Sequence, residues 1–142
     1  MKAQTSQDCI FCKIVNKEIS APIVYENEYV LAFLDLQPNS NGHTLVIPKK
    51  HFKDLSDTDD KYLEEVAKAK KIVANHILES DLKPKGINYV SNQGEEAYQA
   101  VFHYHEHIIP KYKKSEGYVL SKNVIESGLI PQDEILDMIK IK

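Results

Sequence analysis

The chain has 142 residues, enough for one domain with a real core. Its net charge of −3, from 18 basic and 21 acidic residues, argues against wholesale binding to nucleic acid but leaves room for a small phosphorylated ligand. No apolar run approaches the roughly 20 residues of a membrane span. The polar opening of residues 1–8 lacks the apolar core of a signal peptide, so a cytoplasmic protein with no membrane partner is expected.

Residues 1–8 are expected to fray. The run Cys9-Ile10-Phe11-Cys12-Lys13-Ile14 reads as a short turn or helix. Cys9 and Cys12 are three apart and can converge on one point, as a metal half-site, a redox pair or two buried thiols. Zinc would need two more ligands, for which His51 and His103 are candidates. Ile23–Tyr25 and Tyr29–Leu34 read as strands, the second ending at Asp35 and a turn-rich loop, Gln37-Pro38-Asn39-Ser40-Asn41-Gly42. His43–Ile47 is the next strand, stopped by Pro48, and the three form an antiparallel meander. Asp35, at a strand end, is either a turn acid or an acceptor for ligand hydroxyls.

Ser56-Asp57-Thr58-Asp59 resembles a helix start. The helix covers about 57 to 80, with Leu63, Val66, Ala67, Val73 and Ile77 as its buried stripe. His76 reads as a surface or packed residue and not a ligand. Ile87–Asn92 is a strand and Gln93–Ala97 a loop; residues 93–99 form a pocket wall beside a further strand over 100–109. Lys111, Lys113 and Lys114 form a basic run compatible with phosphate attraction. Pro131 opens a C-terminal helix with Ile135, Leu136 and Ile139. No repeat or linker divides the chain, so residues 1–142 read as one domain, with its core over about 8–112 and a tail and helix over 113–142.

The strand over 100–109 carries the chemistry. In Phe102-His103-Tyr104-His105-Glu106-His107-Ile108-Ile109-Pro110, histidines take every second position. Alternate side chains of a strand share a face, so the three imidazoles form one row. Such a row suits a nucleophile, an acid–base pair or a metal. In a straight strand next-but-one residues stand roughly 6.6 Å apart, too far for all three rings to share one zinc on bonds of about 2.1 Å.

These stretches, with Ala-Phe-Leu-Asp at 32–35, Gly-His-Thr-Leu-Val-Ile-Pro-Lys-Lys-His at 42–51 and Ser-Asn-Gln-Gly at 91–94, resemble the histidine triad superfamily in its Hint/Hit-type nucleotide-binding branch. The resemblance implies an α+β fold: an antiparallel sheet of about five strands with two main helices, in a homodimer whose sheets join. It implies a purine nucleotide ligand cleaved at its α-phosphate, phosphoramidates included, through a nucleotidyl-histidine intermediate. His105 would be the nucleophile, flanked by His103 and His107 and supported by His43. Asp35 would accept from ribose hydroxyls, and Ile10, Phe11, Ile14, Phe33, Leu34 and Leu36 would form the base pocket. Asn92 and the backbone around Gln99 and Ala100 would contact phosphate. A structural zinc on Cys9, Cys12, His51 and His103 is implied, and no catalytic metal.

Two positions depart from the family pattern. Glu106 stands where an apolar residue is usual and is expected to find a partner or solvent. Tyr98-Gln99-Ala100-Val101 replaces a frequent Gly-Gln-Ser-Val, removing a serine hydroxyl that contacts phosphate and leaving group in relatives. Competing readings are a dinucleoside polyphosphate hydrolase and a nucleotide-binding interaction protein with little catalysis.

Overall fold

The computed structural model describes residues 7–142. The expected fraying of residues 1–8 therefore falls mostly outside the described residues. One antiparallel sheet organises the fold, in the order β1-β2-β3-β5-β4. Its strands are β1 (Ile23–Glu26), β2 (Val30–Leu34), β3 (Thr44–Pro48), β4 (Gly86–Val90) and β5 (Glu106–Lys111). Strands β1 to β3 make the expected meander, with Ala32 opposite Val46 and Phe33 opposite Leu45. The whole matches the α+β arrangement expected.

β2 is an unbroken apolar run because both its faces are covered. Leu31, Phe33, Leu45 and Ile47 pack with Phe11, Cys12 and Ile14 of α1 (Ile10–Val15). Val30, Ala32, Val46, Tyr104 and Ile108 pack on the opposite face against α2 (Asp60–Glu79). α2 begins later than expected: Leu55–Asp57 form a separate 3-10 turn capped by Asp54, whose carboxylate accepts from the Asp57 N–H at 3.0 Å. Its buried stripe is Val66, Ala69, Val73, Ala74 and Ile77. Leu63 is only partly buried and Ala67 is exposed, because the arc facing the sheet is centred between them and Val73. His76, read as a surface or packed residue and not a ligand, is exposed.

The expected strand over 100–109 is regular only from Glu106. β3 pairs with β5 as Thr44 with Ile108, Leu45 with His107 and Val46 with Glu106. Continuing that register would set Pro48 opposite Tyr104, and proline has no N–H to give the ladder. The Tyr104 N–H instead donates to the Phe52 carbonyl at 2.7 Å. Side chains still alternate: His103, His105 and His107 lie on the α1 side, and Tyr104, Glu106 and Ile108 on the α2 side. Glu106 finds a partner. It is 4% exposed, with one oxygen 3.0 Å from Lys70 Nζ and the other accepting from the Tyr104 hydroxyl at 2.7 Å.

β4 is shorter than expected, ending at Val90, and residues 112–131 hold no helix or strand. The Lys111 ammonium donates to the carbonyls of Lys114, Glu116 and Tyr118, which ties down that turn and takes Lys111 out of the basic run's reach for phosphate. Pro131 precedes α3 (Gln132–Ile139) as its cap and not as its first residue. No helix among the described residues is long and apolar enough to cross a membrane.

Candidate functional site

Two polar clusters meet on the α1 face. The first joins the ends of three segments. Cys9 caps α1, accepting from the Cys12 N–H at 3.3 Å, which turns both thiols to one side. Cys9 Sγ and Cys12 Sγ lie 3.3 and 3.5 Å from His103 Nδ1, and Cys12 Sγ lies 3.3 Å from His51 Nδ1. All four ligand atoms fall within 4.8 Å of one another. A tetrahedron on zinc bonds of about 2.0–2.3 Å has edges of about 3.3–3.8 Å, so this donor set fits zinc. The His103 Nε2–H donates to the buried Pro48 carbonyl at 2.9 Å, leaving the Nδ1 lone pair facing the thiols. Burial, reinforced by Cys9, pushes the Cys12 thiol up to about 12. Only a cation at this point would hold it as the thiolate that binds metal.

The second cluster is the histidine row itself. Phe11 sets its ring edge-on to both His103 and His105, at centroid distances of 5.8 and 5.1 Å. His105 and His107 lie 5.1 Å apart by centroid. Burial holds the His105 imidazole below its usual pKa, against a smaller upward pull from its bond to the His103 carbonyl. Burial, then the neighbouring His105 and His43, brings His107 to about 4. Burial also lowers His43. The rings are therefore neutral at pH 7, and each carries one N–H whose position its neighbours decide.

His105 Nδ1 faces the His103 carbonyl at 2.7 Å and must be the donor, which leaves the Nε2 lone pair free. The Asn39 N–H donates to His43 Nδ1 at 3.0 Å, so the His43 proton sits on Nε2. That Nε2–H faces His107 Nδ1 at 3.0 Å, and His107 in turn carries its own proton on Nε2. One backbone N–H thus fixes two tautomers in series. Asp35, His43 and His107 also bring three ligand atoms within 4.8 Å. The same Asn39 bond leaves no lone pair on His43 Nε2, so this trio is a hydrogen-bond relay and a poor metal seat. Asp35 is a turn acid: one oxygen accepts from the Gln37 N–H at 2.8 Å, and the other lies 3.6 Å from His43 Nε2.

Beside this row opens a cavity of about 470 Å³, within the roughly 300–1,000 Å³ of small-ligand sites. Ile10, Phe11, Ile14, Phe33 and Leu36 line its apolar end, followed by Asp35, His105, His107, Asn92 and Ala100. Four of the expected site residues do not line it. Leu34 points off this face because strand alternation turns it away from Phe33, and it is exposed. His103 belongs to the thiol cluster, and His43 stands behind His107. Gln99 is buried with its side chain spent on the backbone: its amide oxygen accepts from the Gly94 N–H at 2.9 Å, and its amide nitrogen donates to the Lys53 and Val101 carbonyls at 2.7 and 3.1 Å. Tyr98 and Val101 line it too, as the pocket wall expected over 93–99 and the adjoining strand; Gln37 and Leu45 line the cavity without having been expected there. Leu45 was legible as the inward neighbour of Phe33; Gln37 was not.

The HIT domain model matches residues 16–114. A HIT-like protein of Mycoplasma genitalium is 49% identical over 123 residues, covering 87% of this chain and 86% of its own. The adenosine 5′-monophosphoramidase of Saccharomyces cerevisiae is 38% identical over 112 residues, covering 79% of this chain and 68% of its own. The crystal structure of a zinc-bound histidine triad family protein from Mycobacterium smegmatis superposes with a TM-score of 0.75 at 38% identity, covering 80% of this chain and 82% of that one. Sequence, fold and the alternating histidines agree, and the chain belongs to the HIT domain family.

Proposed function

We propose that this protein binds a purine nucleoside phosphoramidate and cleaves it at the α-phosphorus through a nucleotidyl-His105 intermediate. The observation that carries the reading is the His105 tautomer. A neutral, buried imidazole with Nδ1–H held by the His103 carbonyl offers an in-plane Nε2 lone pair to a cavity large enough for a nucleotide. The base lies against Phe11, Ile14 and Phe33, and Asp35 accepts from the ribose hydroxyls. The His105 Nε2–P bond forms as the P–N bond to the amine breaks, and the amine takes one proton from solvent. Water then attacks phosphorus, the P–Nε2 bond breaks, and nucleoside monophosphate leaves as one proton returns to solvent. The Nε2–H of His107, fixed through His43 and Asn39, donates to a non-bridging phosphate oxygen. Asn92 and the Ala100 backbone contact the same phosphate.

Cys9, Cys12, His51 and His103 would hold a structural zinc that cross-links α1, the segment after β3 and the segment before β5. The reading includes a cytoplasmic homodimer with joined sheets, in keeping with the half-exposed edge strand β4. The named activity of the yeast relative supports the substrate class. The test is His105→Ala, assayed with an adenosine phosphoramidate and by nucleotide titration. Turnover is expected to vanish with AMP affinity kept within about threefold, since the ring's loss leaves the base pocket and Asp35 intact. Residual turnover near the wild-type rate overturns the mechanism.

A further inference from the structure

Tyr98 is the most unusual residue at the cavity. Its backbone sits at φ 69°, ψ 22°, in the left-handed region, where a side chain costs what glycine does not. Its ring is 88% exposed, yet it lines the cavity with Asn92, Ala100 and His105. A strained backbone carrying an exposed aromatic gains nothing from folding, and its place on the cavity lining points to a ligand.

The mount is rigid. The Tyr98 N–H donates to the Glu95 carbonyl at 3.0 Å, and the Gln99 N–H to the Gly94 carbonyl at 3.0 Å. The buried Gln99 side chain then locks Gly94 to the Lys53 and Val101 carbonyls. Position 98 is thereby held at the rim, and its ring is kept out of the core.

Sheet order tells which part of a ligand this ring meets. Phe33 and Asp35 come from β2 and its end, Leu45 from β3, His107 from β5, and Asn92 from just beyond β4. Since the strands run β2-β3-β5-β4, base, ribose and phosphorus are crossed in turn before the loop that holds Tyr98. In-line attack by His105 expels the leaving group from the face of phosphorus opposite the imidazole, and the loop that holds Tyr98 borders the same cavity. Ala100 offers this group no hydroxyl, and the Tyr98 ring lines the cavity beside it.

We infer that Tyr98 is a specificity residue for the leaving group, and that the preferred substrates are nucleoside phosphoramidates of amines bearing an aromatic or other flat apolar group, which stack on its ring. The inference rests on the reaction proposed above and goes on to name the leaving group. The test compares kcat/KM for adenosine phosphoramidates of ammonia and of phenethylamine in wild type, Tyr98→Phe and Tyr98→Gly. Ring stacking corresponds to about two- to twelvefold. The ratio favouring phenethylamine is therefore expected to fall by about that factor in Tyr98→Gly and to persist in Tyr98→Phe. Tyr98→Gly is also expected to raise Tm, since it relieves the left-handed strain, so loss of folding does not explain a lost preference. An unchanged ratio in Tyr98→Gly overturns the role of Tyr98 while leaving the reaction standing. Wild type inert towards both substrates overturns the reaction and the inference with it.

Discussion

Lys70→Met isolates the ion pair that fastens the underside of the histidine segment. Glu106 is 4% exposed, flanked in sequence by His105 and His107, and joined to α2 by Lys70 Nζ at 3.0 Å. Methionine keeps most of the lysine stem and removes only the charge. Stripping one partner from a buried pair costs about 3–5 kcal/mol, because the other charge stays in a poor solvent. The Lys70 side chain is 26% exposed, so water can reach part of the gap and the lower end applies, about 3 kcal/mol. Unfolding entropy for a chain of this length converts that to a fall in Tm of about 10 °C. Adding Glu106→Leu removes the stranded charge but leaves the buried Tyr104 hydroxyl without its acceptor, at about 1–3 kcal/mol. Adding Tyr104→Phe completes an apolar replacement, which is expected to return to within about 1 kcal/mol of wild type. Urea denaturation at pH 7, with Tm from calorimetry, reads the series. A Lys70→Met variant within about 0.5 kcal/mol of wild type, or a triple variant no better than the single one, refutes the reasoning.

Two further outcomes are expected. A strong chelator should lower Tm of the purified protein, and equimolar zinc should restore it, while phosphoramidate turnover at a temperature well below Tm stays within about twofold; turnover that tracks zinc content instead would give the metal a part in the chemistry. In the chelated protein stability should also fall with acid. Burial chiefly sets His103 at about 4 in the folded chain, against 6.5 for the free side chain. The folded state therefore favours the neutral ring: its contribution is complete above pH 6.5 and lost as pH drops towards 4. For this group alone about 2 kcal/mol should disappear between pH 7 and pH 5 by urea denaturation, and His103→Asn should flatten that part of the profile.

Much of this was legible because the signals are local. Apolar runs mark β2 and β3, and histidines at every second position share a face whether or not the ladder is regular. Cys9, Cys12, His51 and His103 converge as the residue types and the family resemblance implied. What escaped depends on partners distant in sequence. The late start of β5 follows from Pro48, more than fifty residues earlier, which has no N–H to offer. The exposure of Ala67 depends on which arc of α2 the sheet selects. Gln99 was expected to offer its backbone to phosphate; that its side chain holds the loop together depends on three backbone groups, one of them in the distant segment at Lys53. The placement of Tyr98 had one signal, an aromatic where relatives often carry glycine, and only the φ of 69° gives that exchange a meaning.

Among the described residues, the only side chain seen to fasten the turn between Gly94 and Val101 is that of Gln99, while the side chains at 98 and 100 face the cavity. Position 100, and position 98 within what a left-handed backbone admits, can each be rewritten by a single codon change with the nucleophile left untouched. A lineage with this arrangement can retune which amide or ester it processes one step at a time, without ever passing through an unfolded ancestor.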